Sequence, residues 1–177
     1  TYQICVMEKD SSFQTCYITE ISEPPPLNVT SKFDRSNKIL SLKFEGGKKY
    51  IVSINGKKIT TYEKEKNFSL NNGLNIIKVM TSEQCQGMHQ ENIFIGDKSQ
   101  IYPNPSIDDL NILIGGDALY SEIEIIDIFG NIVYSKKIKL DPMSRHFKLD
   151  ISMLTVGNYV LKINSNSGFE TIKFIKK

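Results

Sequence analysis

Tyr50-Ile51-Val52-Ser53-Ile54-Asn55-Gly56-Lys57-Lys58-Ile59-Thr60-Thr61 is the stretch that decides the fold. Tyr50, Val52 and Ile54 recur at every second position, the period of a strand with one buried face. Asn55-Gly56 follows at once. Both central residues of a type I′ turn need positive φ, which Asn and Gly tolerate best, so the run reads as a β-hairpin.

The same signature extends outward in both directions. Leu40, Leu42 and Phe44 alternate in the same way, and Gly46-Gly47 and Asn71-Asn72-Gly73 supply further turns. Strand-like runs cover 27–33, 39–44, 50–55, 59–62, 68–70, 74–80 and 92–95, then restart at 110–114, 123–129, 132–138, 147–151, 159–163 and 169–175. Within Glu122-Ile123-Glu124-Ile125-Ile126-Asp127-Ile128 the apolar phase slips by one residue, which fits a β-bulge or a strand buried on both faces. The chain holds 41 β-branched residues against one alanine, Ala118. Such side chains lose χ1 freedom in helices and pack well on sheets, which excludes a helical bundle. The expected fold class is all-β: two small antiparallel β-sandwiches, immunoglobulin-like, in tandem.

Punctuation sets the expected boundaries. A hairpin over 2–7 and 13–21 precedes Glu23-Pro24-Pro25-Pro26, which cannot continue a ladder because proline lacks the N–H. A second break falls at 96–100. The expected division is a hairpin at 1–24, ending a preceding repeat, a sandwich at 25–99 and another at 100–177. The opening Thr-Tyr-Gln-Ile-Cys already reads as strand, as in a piece of a longer protein. Folding the hairpin between Asp10 and Ser11 sets Cys5 directly opposite Cys16, at a separation a disulfide accepts. That bridge is expected and implies an oxidising compartment, with Cys85 left unpaired or bonded elsewhere.

Little in the chain points to catalysis. Of 22 basic residues only Arg35 and Arg145 are arginines, so the planar forks that read phosphates and bases are nearly absent. The lysines of 57–66 are interleaved with Glu63 and Glu65 and read as a solvated face, with no nucleic-acid partner. No run approaches the ~18 apolar residues of a membrane-spanning helix. Cys85 and His89 are the only close pair of zinc-type ligands, and His146 lies in the other predicted sandwich. Asp108, Asp109 and Asp141 sit near turns, where aspartate is common for backbone reasons. There is no Gly-x-Ser-x-Gly and no glycine-rich phosphate loop. No metal, no cofactor and no enzymatic activity are expected.

Three blocks carry a family resemblance. Ile101-Tyr102-Pro103-Asn104-Pro105 leads into the apolar Leu110-Asn111-Ile112; Ile125-Ile126-Asp127 leads through Phe129-Gly130-Asn131 to Ile132-Val133; Leu149-Asp150-Ile151-Ser152 leads to Gly157-Asn158-Tyr159-Val160-Leu161-Lys162-Ile163. With the finish Thr171-Ile172-Lys173-Phe174-Ile175-Lys176-Lys177, residues 101–177 resemble the type A C-terminal sorting domain of the type IX secretion system of Bacteroidetes-type bacteria. Ile107-Asp108-Asp109 departs from the glycine-containing turn of many members. The resemblance implies sorting-motif roles for Tyr102, Pro103, Asn104, Pro105, Asp127, Gly130, Gly157, Tyr159, Lys173, Lys176 and Lys177. It also implies secretion to the cell surface across the outer membrane, as a monomer. The partners implied are the type IX outer-membrane translocon, a PorV-like shuttle β-barrel and a sortase, with cleavage at 96–100.

Physically, Pro103 and Pro105 stiffen the opening segment, Gly130 and Gly157 are expected to supply turn conformations, and Tyr159 is expected to pack across strands. Residues 1–99 are similar to the adhesin-like immunoglobulin-type modules that precede such domains. The rival reading is a carbohydrate- or protein-binding module in 25–99. It needs an exposed aromatic platform, whereas Phe44, Tyr50, Tyr62 and Phe68 fall at expected core positions and tryptophan is absent.

Overall fold

The computed structural model describes residues 1–9, 13–20, 22–166 and 168–177, with residue 84 described for its backbone alone. The predicted turn at Asp10-Ser11 and the predicted strand residue Ile21 lie outside the described residues. Those described form sixteen β-strands and one 3-10 turn, Gln84–Gln86, with no α-helix. β1 (Tyr2–Met7) and β2 (Gln14–Thr19) make a two-stranded hairpin in which Cys5 faces Cys16 and is disulfide-bonded to it. Its apolar side chains, Tyr2, Ile4, Val6 and Tyr17 among them, are exposed.

The next seven strands are β3 (Asn28–Asp34), β4 (Ile39–Glu45), β5 (Tyr50–Ile54), β6 (Lys57–Thr61), β7 (Glu65–Ser69), β8 (Gly73–Thr81) and β9 (Met88–Ile95). They form two antiparallel sheets, β3-β4-β7 and β6-β5-β8-β9. The quoted stretch is the β5–β6 hairpin, with Asn55 at φ 51 and Gly56 at φ 86. Asn55 also braces the neighbouring strand: its Oδ1 accepts from Ile76 N at 2.8 Å. Alternation delivers Leu40, Leu42 and Phe44 to one side of a core and Tyr50, Val52, Ile77, Val79 and Ile93 to the other. Removing one of these, as in Leu42→Ala, costs about 2–5 kcal/mol through lost burial and a residual cavity.

Seven further strands follow: β10 (Gln100–Tyr102), β11 (Asp109–Leu113), β12 (Tyr120–Ile126), β13 (Ile132–Lys139), β14 (His146–Asp150), β15 (Gly157–Ser165) and β16 (Gly168–Lys176). Their sheets are β10-β11-β14 and β13-β12-β15-β16, again antiparallel. A second core, separate from the first, holds Leu110, Ile112, Ile123, Ile125, Leu161, Ile163 and Phe174. The phase slip in β12 is a bulge, since its register against β13 shifts between Ile125 and Ile126.

Two expectations fail. Tyr62 is 72% exposed, because the buried Thr61 takes the inward position at the end of β6 and turns the next side chain to solvent. Gly157 is the first residue of β15 and has no positive φ, and a Cβ there would meet only the Tyr159 ring at 3.8 Å. It supplies no turn conformation. Lys176, one of the motif lysines, is 6% exposed. It continues the inward alternation of Phe174, and its Nζ donates to Lys177 O at 2.7 Å.

Candidate functional site

The segment that opens the second sandwich runs from β10 to the free side of β16. Both X–Pro bonds in it, Tyr102–Pro103 and Asn104–Pro105, are cis. Asn104 then reaches the last strand: its Nδ2 donates to Lys173 O at 3.1 Å, and its Oδ1 accepts from Ile175 N at 3.1 Å. Ser106 continues the contact with backbone alone, its N donating to Ile175 O and its O accepting from Lys177 N, each at 2.8 Å. Ser106 is fully buried and its hydroxyl donates to Asp109 O. β16 is an edge strand in its sheet, and a bare edge exposes unpaired N–H and C=O groups. Here two residues of the opening segment cover part of it. The sequence reading passed over Ser106, and no periodicity marks it, since its role lies in its main chain.

Asp127 organises the β12–β13 turn. Its Oδ1 accepts from Phe129 N at 2.9 Å and Asn131 N at 2.8 Å, while its Oδ2 accepts from Asn131 Nδ2 at 3.1 Å. These bonds, the Asn131 side-chain amide first and its backbone N–H next, hold the carboxyl below its usual range, so it is ionised at neutral pH. Gly130 closes the turn at φ 87, a conformation that disfavours a Cβ. The flanking Ile128 and Phe129 stand exposed.

Tyr159 lies inside. Its ring stacks on Phe174 with centroids 5.5 Å apart, and its hydroxyl donates to Thr155 O at 2.8 Å. The arrangement ties the loop before β15 to the strand itself, as a tyrosine corner does.

These pieces meet at a groove of 550 Å³ lined by the β12–β13 turn, β15 and β16. Ile128, Val160 and Ile175 provide apolar walls, and Asn104, Asp127 and Lys173 provide polar ones. An apolar floor with two opposite charges suits recognition of a partner surface, and it holds no nucleophile–base pair. Asn104, Asp127, Tyr159 and Lys173 therefore come together from four separate motif blocks. The others do not line the groove. Tyr102 stacks toward His146 at 6.5 Å, Gly157 pairs with Lys176, and Lys177 bonds Ser106. Cys5 and Cys16 sit in the N-terminal hairpin. A larger depression of 860 Å³ lies in the first sandwich beside Pro24, Pro25 and Tyr50, and no sorting-motif residue lines it.

The turn aspartates have structural partners. Asp141 Oδ1 accepts from Met143 N and Ser144 N, and Asp109 pairs with Lys148 Nζ at 2.8 Å. Among the described residues, no three His, Cys, Asp or Glu side chains cluster as a metal site would require.

No curated protein matches the chain. Among solved structures, the BSP domain of a biofilm-associated protein is similar at 11% identity and TM-score 0.37, over 86% of this chain and 29% of that one. Dimeric latent PorU from Porphyromonas gingivalis is similar at 16% identity and TM-score 0.35, over 90% of this chain and 21% of that one. The chain thus spans less than a third of the length of either structure. Likeness at this level carries no functional assignment. The secretion system C-terminal sorting domain family, by contrast, matches residues 100–177, the span that holds the second core and the groove. Residues 100–177 thus match a secretion-system sorting domain, and that match implies export by the type IX route to the cell surface or the medium.

Proposed function

We propose that the groove beside β16 is the surface by which the type IX machinery reads this domain, with a PorV-like shuttle β-barrel as the reader. The observation that supports this is convergence: Asn104, Asp127 and Lys173, from distant motif blocks, line one apolar-walled groove together with Ile128 and Ile175. Residues 25–99 act as a non-catalytic spacer, the hairpin at 1–24 closes a preceding repeat, and the whole chain is a recognition tail without enzymatic activity. A sortase acts at 96–100.

The test uses the full chain fused to a fluorescent reporter in a type IX-competent bacterium. Ile128 is 71% and Ile175 44% exposed, so Ile128→Ser and Ile175→Ser leave the core intact. Export of the double variant falls at least fivefold with the melting temperature unchanged. Normal export of a folded double variant sinks the reading.

The exposed Tyr62 favours, to a limited extent, a binding role for 25–99. Phe44, Tyr50 and Phe68 remain buried in the core, so a single ring would have to serve as the platform. Glycan binding abolished by Tyr62→Ala would establish that second activity.

A further inference from the structure

The chain's only two arginines stand at one place, where the two sandwiches meet. Arg35 follows β3, with its guanidinium 5.4 Å from the centre of the Phe33 ring. Its Nη1 donates to Phe94 O at 3.1 Å, within the first sandwich, and its Nη2 donates to Pro142 O at 2.6 Å, within the second. Phe94 N in turn donates to Met143 O at 3.0 Å, and the Met143 side chain packs on the first core. Residues 142–143 of the sorting domain thus lie along β9 with a planar fork clamping both sides. Lysine offers a point charge and lacks that geometry.

Arg145 fixes the loop that carries those two residues. It is 1% exposed and sits at φ 48. Its Nε donates to Ile114 O at 2.7 Å, and its Nη2 to Gly115 O at 3.1 Å and Ala118 O at 3.0 Å. Burying a guanidinium is costly unless its donors find acceptors, and three carbonyls take its Nε and Nη2 donors here. The neighbouring 114–118 loop, whose carbonyls Arg145 holds, in turn presses on the connecting segment. Gly116 N donates to Gly96 O at 2.9 Å, Gly115 N donates to Ser99 Oγ at 3.0 Å, and a Cβ on Gly115 would stand 2.5 Å from Asp97 O. On the far side Ser99 N donates to Glu170 Oε2 at 2.9 Å, on β16.

Joined domains ordinarily move relative to one another unless their interface is well packed. We propose that the Arg35–Phe94 corner and the 141–145 loop form an intramolecular docking interface that makes the two sandwiches one body and keeps the connecting segment 96–100 closed to proteases. The partner this surface fits is the preceding sandwich of the same chain. Asp97 and Lys98 are exposed, yet Gly96 and Ser99 on either side of them are hydrogen-bonded to the sorting domain, so cleavage requires the junction to open first. This inference does not rest on how export partners read the groove.

The experiment uses the full chain as wild type, Arg35→Ala, Arg35→Lys and Met143→Ser. Trypsin cleavage after Lys98 is followed by mass spectrometry, and amide exchange is read at Phe94, Ser99 and Gly116. The expected result is cleavage at Lys98 at least tenfold faster in Arg35→Ala and Met143→Ser, with exchange faster at all three amides. Arg35→Lys falls near Arg35→Ala. Should Arg35→Ala unfold the first sandwich, Met143→Ser, which alters the other side of the contact, decides alone. Cleavage and exchange at wild-type rates in a folded Met143→Ser, or equally fast cleavage in the wild type itself, overturn the proposal.

Discussion

The side-chain amide of Asn104 does for Ile175 what a neighbouring strand would do, although 71 residues separate them. It accepts the Ile175 N–H and donates to the carbonyl of Lys173, so one side chain completes a stretch of the β16 edge. Each such bond contributes about 0.5–1.5 kcal/mol net. Asn104→Ala is expected to lower the domain's stability by about 1–2 kcal/mol. Amide exchange at Ile175 rises in parallel, and a protected Ile175 in the variant argues against the clasp.

Lys176 and Lys177 separate cleanly. Lys176 is buried along the inward row that contains Phe174, so Lys176→Glu places an unpartnered carboxylate there and destabilises by about 2 kcal/mol or more. Lys177→Glu, on an exposed side chain, stays within about 0.5 kcal/mol. Urea titration of both single variants decides the matter, and equal midpoints contradict the burial.

Tyr159→Phe removes the hydroxyl bonded to Thr155 and keeps the stack on Phe174. The loss is about 1 kcal/mol. Tyr159→Ala also removes the ring and costs about 3–5 kcal/mol. Thermal melts should rank them in that order.

Acid should weaken the fold through its turn aspartates. Asp141 is held below its usual range by Ser144 N first, and Asp127 by Asn131. A carboxyl depressed in the folded state contributes stability that is full above the unfolded value of about 3.9 and is lost as pH falls through the lower folded value. Melting temperature is expected to be flat from pH 7 to about 5 and to drop below pH 4. In Asp141→Ala the acid drop is smaller and the neutral melting temperature lower. An identical acid slope in wild type and variant refutes this role for Asp141.

The hairpin bridge is separable from both cores, because β1 is exposed along its whole length. Non-reducing peptide mapping is expected to recover Cys5 joined to Cys16 and an alkylatable Cys85. Reduction should leave the main unfolding transition unmoved.

Local patterns in the sequence carried most of the fold. The Asn55-Gly56 turn, the alternation of Leu40, Leu42 and Phe44, and the β12 slip each depend on neighbours within a few residues. Tyr62 was misread because it stands just past a strand end, where the face a side chain takes depends on where pairing stops. The groove was legible only as separate motif blocks. The cover that Asn104 and Ser106 place on the β16 edge joins a side chain and a main chain to a strand some 70 residues away, and no period records such a bond. Arg145 was visible as a rare residue type, but its burial follows from three carbonyls that only the folded loop assembles.

The parallel bridge between Ser106 and Lys176 also sets an order of events. Contacts so distant along the chain close late, because the entropy of the intervening loop must be overcome before any bond forms. A chain emerging from its N-terminal side presents β10 to β15 without the strand that supplies Phe174, and Tyr159 then lacks its stacking partner. Until β16 arrives, the second core lacks Phe174 and β15 stands unpaired along one side. The timing of folding is thereby written into the position of the closing strand, and a circular permutant opened between β15 and β16 would finish its fold on a different schedule while keeping the same contacts.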